Sequence, residues 1–148
     1  MNSTTMKKIA VVVCGSLATL ATARTVTAEE LVVIVNASNP TVSVSADQVQ
    51  QLFLGMTATM PGGVKARPVD QAEESPLRTD FYQKVAGKSA AQIRAIWSRL
   101  VFSGRGMPPK ILASSADVKK FVAAERDGIG YIEKSAADSS VKVVLTLP

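Results

Sequence analysis

The 148-residue chain carries 17 basic and 12 acidic residues, a formal net charge of +5, no histidine and a single cysteine. Cys14 falls in what reads as a removable leader, so the remainder has neither residue type, which excludes disulfides, thiol catalysis, histidine-based triads and the common zinc sites. No Walker loop, Gly-x-Ser-x-Gly elbow or dinucleotide fingerprint occurs either, and no cofactor is implied.

Lys7 and Lys8 form a basic start, Ile9 to Ala23 an apolar run, and Val26-Thr27-Ala28 a small-residue cleavage site. This is the plan of a secretory signal peptide over residues 1–28, too short and too interrupted for a transmembrane helix. Ala21-Thr22-Ala23 is a second acceptable site, Met6 a second possible start, and Val13 is not the small residue that lipoprotein processing at Cys14 prefers. The expectation is an exported, periplasmic protein with one domain over 29–148. Lys7, Lys8 and Arg24 precede the cut and no acidic residue does, so the net charge falls from +5 to +2. No dense basic stripe survives, and a nucleic-acid partner is not expected.

Leu31 to Val35 is a continuous β-branched and aliphatic run, which suits a strand buried on both faces. Asn36-Ala37-Ser38-Asn39-Pro40 then forms a turn at its carboxyl end, where open α/β sheets gather ligands. Ser45 and Gln48 have capping-box spacing, and Val49, Leu52 and Phe53 share a helical face that should pack on the sheet before Gly55 ends it. Met60-Pro61-Gly62-Gly63 reads as a turn and Val64 to Val69 as a strand with one more exposed face.

The strand delivers the chain into Pro68 to Phe81, a polar loop opening a helix. Ser75 is expected to cap that helix, with Pro76 at its first position, Leu77, Phe81 and Val85 on one face and Gly87 at its end. A helix start leaves backbone N–H groups unpaired and favours an anion in front of them. Asp70, Glu73, Glu74 and Asp80 cluster here; an acid/base pair or a hard-cation site is conceivable chemistry, but a solvated acidic loop is the better reading.

Ser89 caps a third expected helix, with Ile93, Ile96, Trp97, Leu100 and Val101 at helical spacing; Trp97 reads as core, and Arg94 and Arg99 as solvent-facing. In the loop after it, Gly104 and Gly106 flank Arg105, which could either fold over a bound group or face solvent. Ser114 or Ser115 caps a fourth helix with Val118, Phe121 and Val122 inward. The chain then turns at Asp127-Gly128 into Ile129 to Ile132, where Gly130 suggests close backbone approach, and ends in a strand over Val141 to Leu147. Strands separated by helices predict an α/β layer structure.

Four segments, LVVIVNASNP at 31–40, QLFLG at 51–55, DQAEESPLRTDF at 70–81 and GIGYI at 128–132, follow one another as do similar segments of the phosphate ABC transporter substrate-binding proteins. The chain resembles a small, single-lobe member of that periplasmic binding protein-like superfamily. The resemblance implies one lobe of a type II periplasmic binding protein-like fold, with a central mixed sheet flanked by helices. It also implies a non-catalytic solute-binding role for phosphate or a similar oxyanion, linked to ABC-type uptake or sensing, with an envelope protein or transporter component as partner. In the family a Gly-Ser-Gly-Thr-Arg-like segment supplies the anion donors; here Ser75 and Arg78 match it, Pro76 replaces a glycine and removes an N–H, and Glu73 and Glu74 add negative charge. Ser38 and Asn39 would donate from the neighbouring strand end and Arg105 would cover the ligand. The alternative reading is a periplasmic protein–protein interaction module that keeps the lobe and has lost its ligand.

Overall fold

The computed structural model describes residues 29–148; the expected leader, residues 1–28, lies outside them. Strand β1 (Leu31–Asn36) is buried along all six residues. Alternation splits its side chains: Leu31, Val33 and Val35 enter one core and Val32 and Ile34 the other. Helix α1 (Ala46–Phe53) starts at Ser45 with both halves of the capping box formed and buries Val49, Leu52 and Phe53. The Pro61–Gly63 turn joins β2 (Thr59–Met60) to β3 (Val64–Lys65) as a small antiparallel hairpin, so the expected 64–69 strand is divided, and β4 (Arg67–Gln71) carries the chain into the sheet.

Helix α2 (Pro76–Ala86) and the Ser89-capped helix α3 (Ala90–Phe102) follow. The segment beyond α3 contains a strand not expected from the sequence, β5 (Lys110–Leu112), before α4 (Ser115–Ala124), β6 (Gly128–Glu133) and β7 (Val141–Leu147). The sheet order is β5-β4-β6-β1-β7, with β4 parallel to β5 and β6, and β1 antiparallel to both β6 and β7.

Helices α1, α2 and α3 cover one face through a core that includes Phe53, Phe81, Tyr131 and Trp97. Helix α4 covers the other through Val118 and Val122, packed on Val32, Val69 and Ile132. A Cβ at Gly130 would lie 2.5 Å from Val118 Cγ1, so glycine on β6 is what lets α4 approach this closely. Among the described residues no helix is long and apolar enough to cross a membrane.

The direction of β1 decides where the site can be. Val35 pairs with Ile129 at the start of β6, and Arg67 of β4 pairs with Gly128 beside it. The carboxyl end of β1 therefore lies at the amino end of β4, and the two expected halves of an anion site sit at opposite ends of the sheet.

Candidate functional site

At the carboxyl end of β4 the chain buries an ion pair. Asp70 is 2% exposed and Arg78 7%. Arg78 Nε donates to Asp70 Oδ2 at 3.0 Å, and the Tyr82 hydroxyl donates to the same oxygen at 2.8 Å. Asp70 Oδ1 accepts from the Tyr131 hydroxyl at 2.5 Å and the Gln71 N–H at 2.8 Å. Four donors thus occupy one carboxylate, which is what holds a charge in an apolar interior. Asp70 is not part of a solvated loop: β4 ends in the core, and the alternation that buries Val69 and Gln71 on either side leaves Asp70 enclosed by α2 and β6.

Helical spacing explains the arrangement. Arg78 and Tyr82, four residues apart, present both groups to Asp70 from one face of α2. Phe81 of the same helix stacks on the Tyr131 ring, with centroids 3.8 Å apart and planes at 5°, and the Phe53 ring meets both edge-on. Burial, and then the charge of Asp70, push both tyrosine hydroxyls far above the ordinary tyrosine range, so they remain donors.

The Arg78 guanidinium is fixed on one side and open on the other. It lies over the Tyr82 ring, 5.0 Å from its centroid. Among the described residues its only hydrogen bond uses Nε, and the side chain borders a cavity of about 480 Å³. Glu73, Arg94 and Ser98 border the same space; Arg94 forms an ion pair with Glu73. Its remaining wall is Trp97, Val101, Phe102 and Pro108. Trp97 is buried, yet its Nε1–H finds no partner among the described residues.

The helix start beside it is also incomplete. Ser45, Ser89 and Ser114 each cap their helices through the side chain, whereas Ser75 makes no cap bond. Its hydroxyl donates instead to Gln71 Oε1 at 3.4 Å, and that amide is held by Tyr131 O and Ser115 Oγ, both at 3.1 Å. With Pro76 lacking an N–H and Thr79 bonded to Ser75 O, the Leu77 and Arg78 N–H groups have no partner among the described residues.

Ser38 and Asn39 do not join this group. One length of β4 separates the two ends, roughly 13 Å at about 3.3 Å per residue. Asn36 Nδ2 donates to the Val122 and Ala123 carbonyls at the end of α4, and its Oδ1 accepts the Ser38 N–H. Asn39 Oδ1 accepts from the Thr41 N–H and Nδ2 donates to Arg126 O. The loop fastens β1 to α4. The expectation that it converges with Ser75 and Arg78 is corrected, because β1 runs antiparallel to β6.

Arg105 is exposed and is not among the residues bordering the cavity. Gly104, at φ +70°, ends α3 in a Schellman motif: its N–H bonds Val101 O and the Arg105 N–H bonds Leu100 O. The Gly-Arg-Gly stretch is a helix terminus, and the solvent-facing alternative describes Arg105. Sequence reasoning read Asp70 as part of a solvated acidic loop and missed Tyr82 and Tyr131. Asp70, Arg78 and Tyr82 at successive spacings of eight and four were a legible signal only for the helical pair, since Tyr131 arrives through sheet pairing. Among the described residues no group of three or more His, Cys, Asp or Glu side chains could hold a metal ion.

Against solved structures the architecture is decisive. The chain has the lobe fold of the phosphate ABC transporter substrate-binding proteins. A protein assigned as such from Clostridium perfringens, solved with bound phosphate, matches with a TM-score of 0.64 and 21% identity over 78% of this chain and 44% of its own. The ABC-type phosphate transport receptor of Vibrio cholerae gives 0.61 and 20% over 78% and 45%, and PstS of Borrelia burgdorferi 0.60 and 11% over 78% and 46%. The chain therefore spans less than half the length of the structures it matches. No protein-family model and no curated protein matches the sequence.

Proposed function

We propose that the protein is an exported, non-catalytic solute-binding module for phosphate or a similar oxyanion, serving ABC-type uptake or sensing. Export rests on the leader read from residues 1–28, and the transport setting on the likeness of the fold to phosphate receptors. The observation that carries the reading is the Arg78 guanidinium. It is held in place by Asp70 and Tyr82, with its Nη groups free of protein partners among the described residues, beside an uncapped helix start.

An arginine fixed through Nε loses little freedom when its Nη groups bind, and its planar fork suits tetrahedral and carboxylate oxyanions. Ser75 and Arg78 are the ligand residues of this reading. Charge-assisted bonds contribute about 1.5–3 kcal/mol each, so two of them at a one-walled site place the dissociation constant near the millimolar range. Isothermal titration calorimetry of the purified protein with phosphate and sulfate tests this. Binding should fall at least tenfold in Arg78→Lys, which keeps a charge beside Asp70 and removes the fork. No heat from the unaltered protein at millimolar anion, or equal affinity in Arg78→Lys, would overturn the assignment.

A further inference from the structure

We infer that the ligand of this site is an organic oxyanion with an apolar body, of the class of aryl or alkyl phosphates and sulfonates, rather than the bare inorganic ion. The inference rests on the oxyanion reading and adds the chemistry of what the head group carries. The cavity bordered by Arg78 has a volume of about 480 Å³, within the range of sites for small organic molecules and far larger than an inorganic anion needs.

Its walls are divided by chemistry. Arg78 and Arg94 stand at the polar side, while Trp97, Val101 and Phe102 form the apolar side. The polar side carries no surplus charge, because Asp70 pairs with Arg78 and Glu73 with Arg94. A bare dianion would meet two neutralised pairs and use none of the apolar wall. An anion with a hydrocarbon body would take the Arg78 Nη donors with its head and cover Val101 and Phe102, which are 46% and 96% exposed.

Trp97 adds ring surface to this apolar wall. It borders the cavity and is 92% removed from solvent, with its Nε1–H buried out of reach of the cavity.

Trp97 is the only tryptophan of the chain, and it borders both this cavity and a neighbouring one lined by Met56, Met107 and Phe121. Its fluorescence therefore reports binding in either, and substitution of Val101 and Phe102, which line only the first, separates the two. The experiment titrates the full protein with two matched pairs, inorganic phosphate against phenyl phosphate and sulfate against benzenesulfonate, by calorimetry and by tryptophan emission. Each organic member should bind at least tenfold more tightly than its inorganic counterpart and shift the emission. The double variant Val101→Ser with Phe102→Ser, at two exposed positions, should reduce phenyl phosphate to the affinity of inorganic phosphate; its far-UV circular dichroism and melting temperature verify folding. Inorganic anions that bind through Arg78 while the organic ones bind no better would overturn this inference and leave the oxyanion reading standing. Organic anions that bind without a change in emission, or equally in the double variant, would also overturn it, since they would be held elsewhere. Absence of binding by all four anions would overturn both.

Discussion

The two ends of the central sheet are built from similar residues and reach opposite outcomes. At the carboxyl end of β1, Asn36, Asn39, Arg67 and Lys142 spend their donors on nearby protein acceptors: Asn36 on α4 carbonyls, Arg67 on Glu125 and Asp127, and Lys142 on the Asn39 carbonyl. At the carboxyl end of β4, Asp70 collects four donors, and the arginine that supplies one of them keeps its Nη groups for the cavity. A buried polar residue at a strand end is therefore uninformative by itself. What distinguishes a fastening from a site is which donors remain after the protein has satisfied itself.

The largest expected effect comes from breaking the saturated carboxylate. Asp70→Ala leaves the Arg78 charge and two tyrosine hydroxyls buried without their acceptor, and removal of one partner of a buried pair costs about 3–5 kcal/mol. Urea denaturation monitored by circular dichroism should show a loss of this size. A loss below about 1 kcal/mol, the scale of exposed pairs, would mean that solvent reaches Arg78 and that it is not preorganised.

The next effect concerns pH. The chain has two tyrosines, and both donate to Asp70. Their folded-state pKa values are raised by burial and by the Asp70 charge, so the unfolded chain releases these protons first. Their contribution is complete below the unfolded value of about 10 and declines as pH rises beyond it. At pH 11 the two together should have cost about 2.8 kcal/mol. Tyrosinate absorbance should stay absent from the folded protein and appear together with unfolding. A smooth titration near pH 10 in the native state would show that the hydroxyls are accessible and the network open.

Much of the fold was legible because its signals are local. The Ser45–Gln48 and Ser89 caps, the helical stripe through Ile93 and Trp97 and the two-faced burial of Leu31 to Val35 need no partner beyond the segment itself. The site was less legible because it depends on strand direction and long-range pairing. A buried strand reads alike in either direction, so nothing in Leu31 to Asn36 tells that Ser38 would emerge beside Asp127 rather than beside Ser75. Capping failed at Ser75 for a similar reason: its hydroxyl was expected to bond its own helix, and Gln71, held across the sheet by Tyr131, takes it. Asp70, four residues before Glu74 in an acidic cluster, gave no local sign that β4 would carry it into the core.

The smallest effect tests the other end of the sheet. Asn36→Ala removes two bonds to the Val122 and Ala123 carbonyls and the acceptor of the Ser38 N–H, leaving polar groups at the end of α4 without their partner. Such a loss costs about 1–3 kcal/mol. Because the groups are neutral, the loss should be the same at low and high salt, unlike that of Arg67→Ala, whose exposed pairs with Glu125 and Asp127 are screened by added salt. Anion affinity at the Arg78 cavity should remain unchanged in Asn36→Ala, since one length of β4 lies between them. A tenfold fall in affinity alongside the stability loss would show that the two ends act as one site, and the division between fastening and site would not hold.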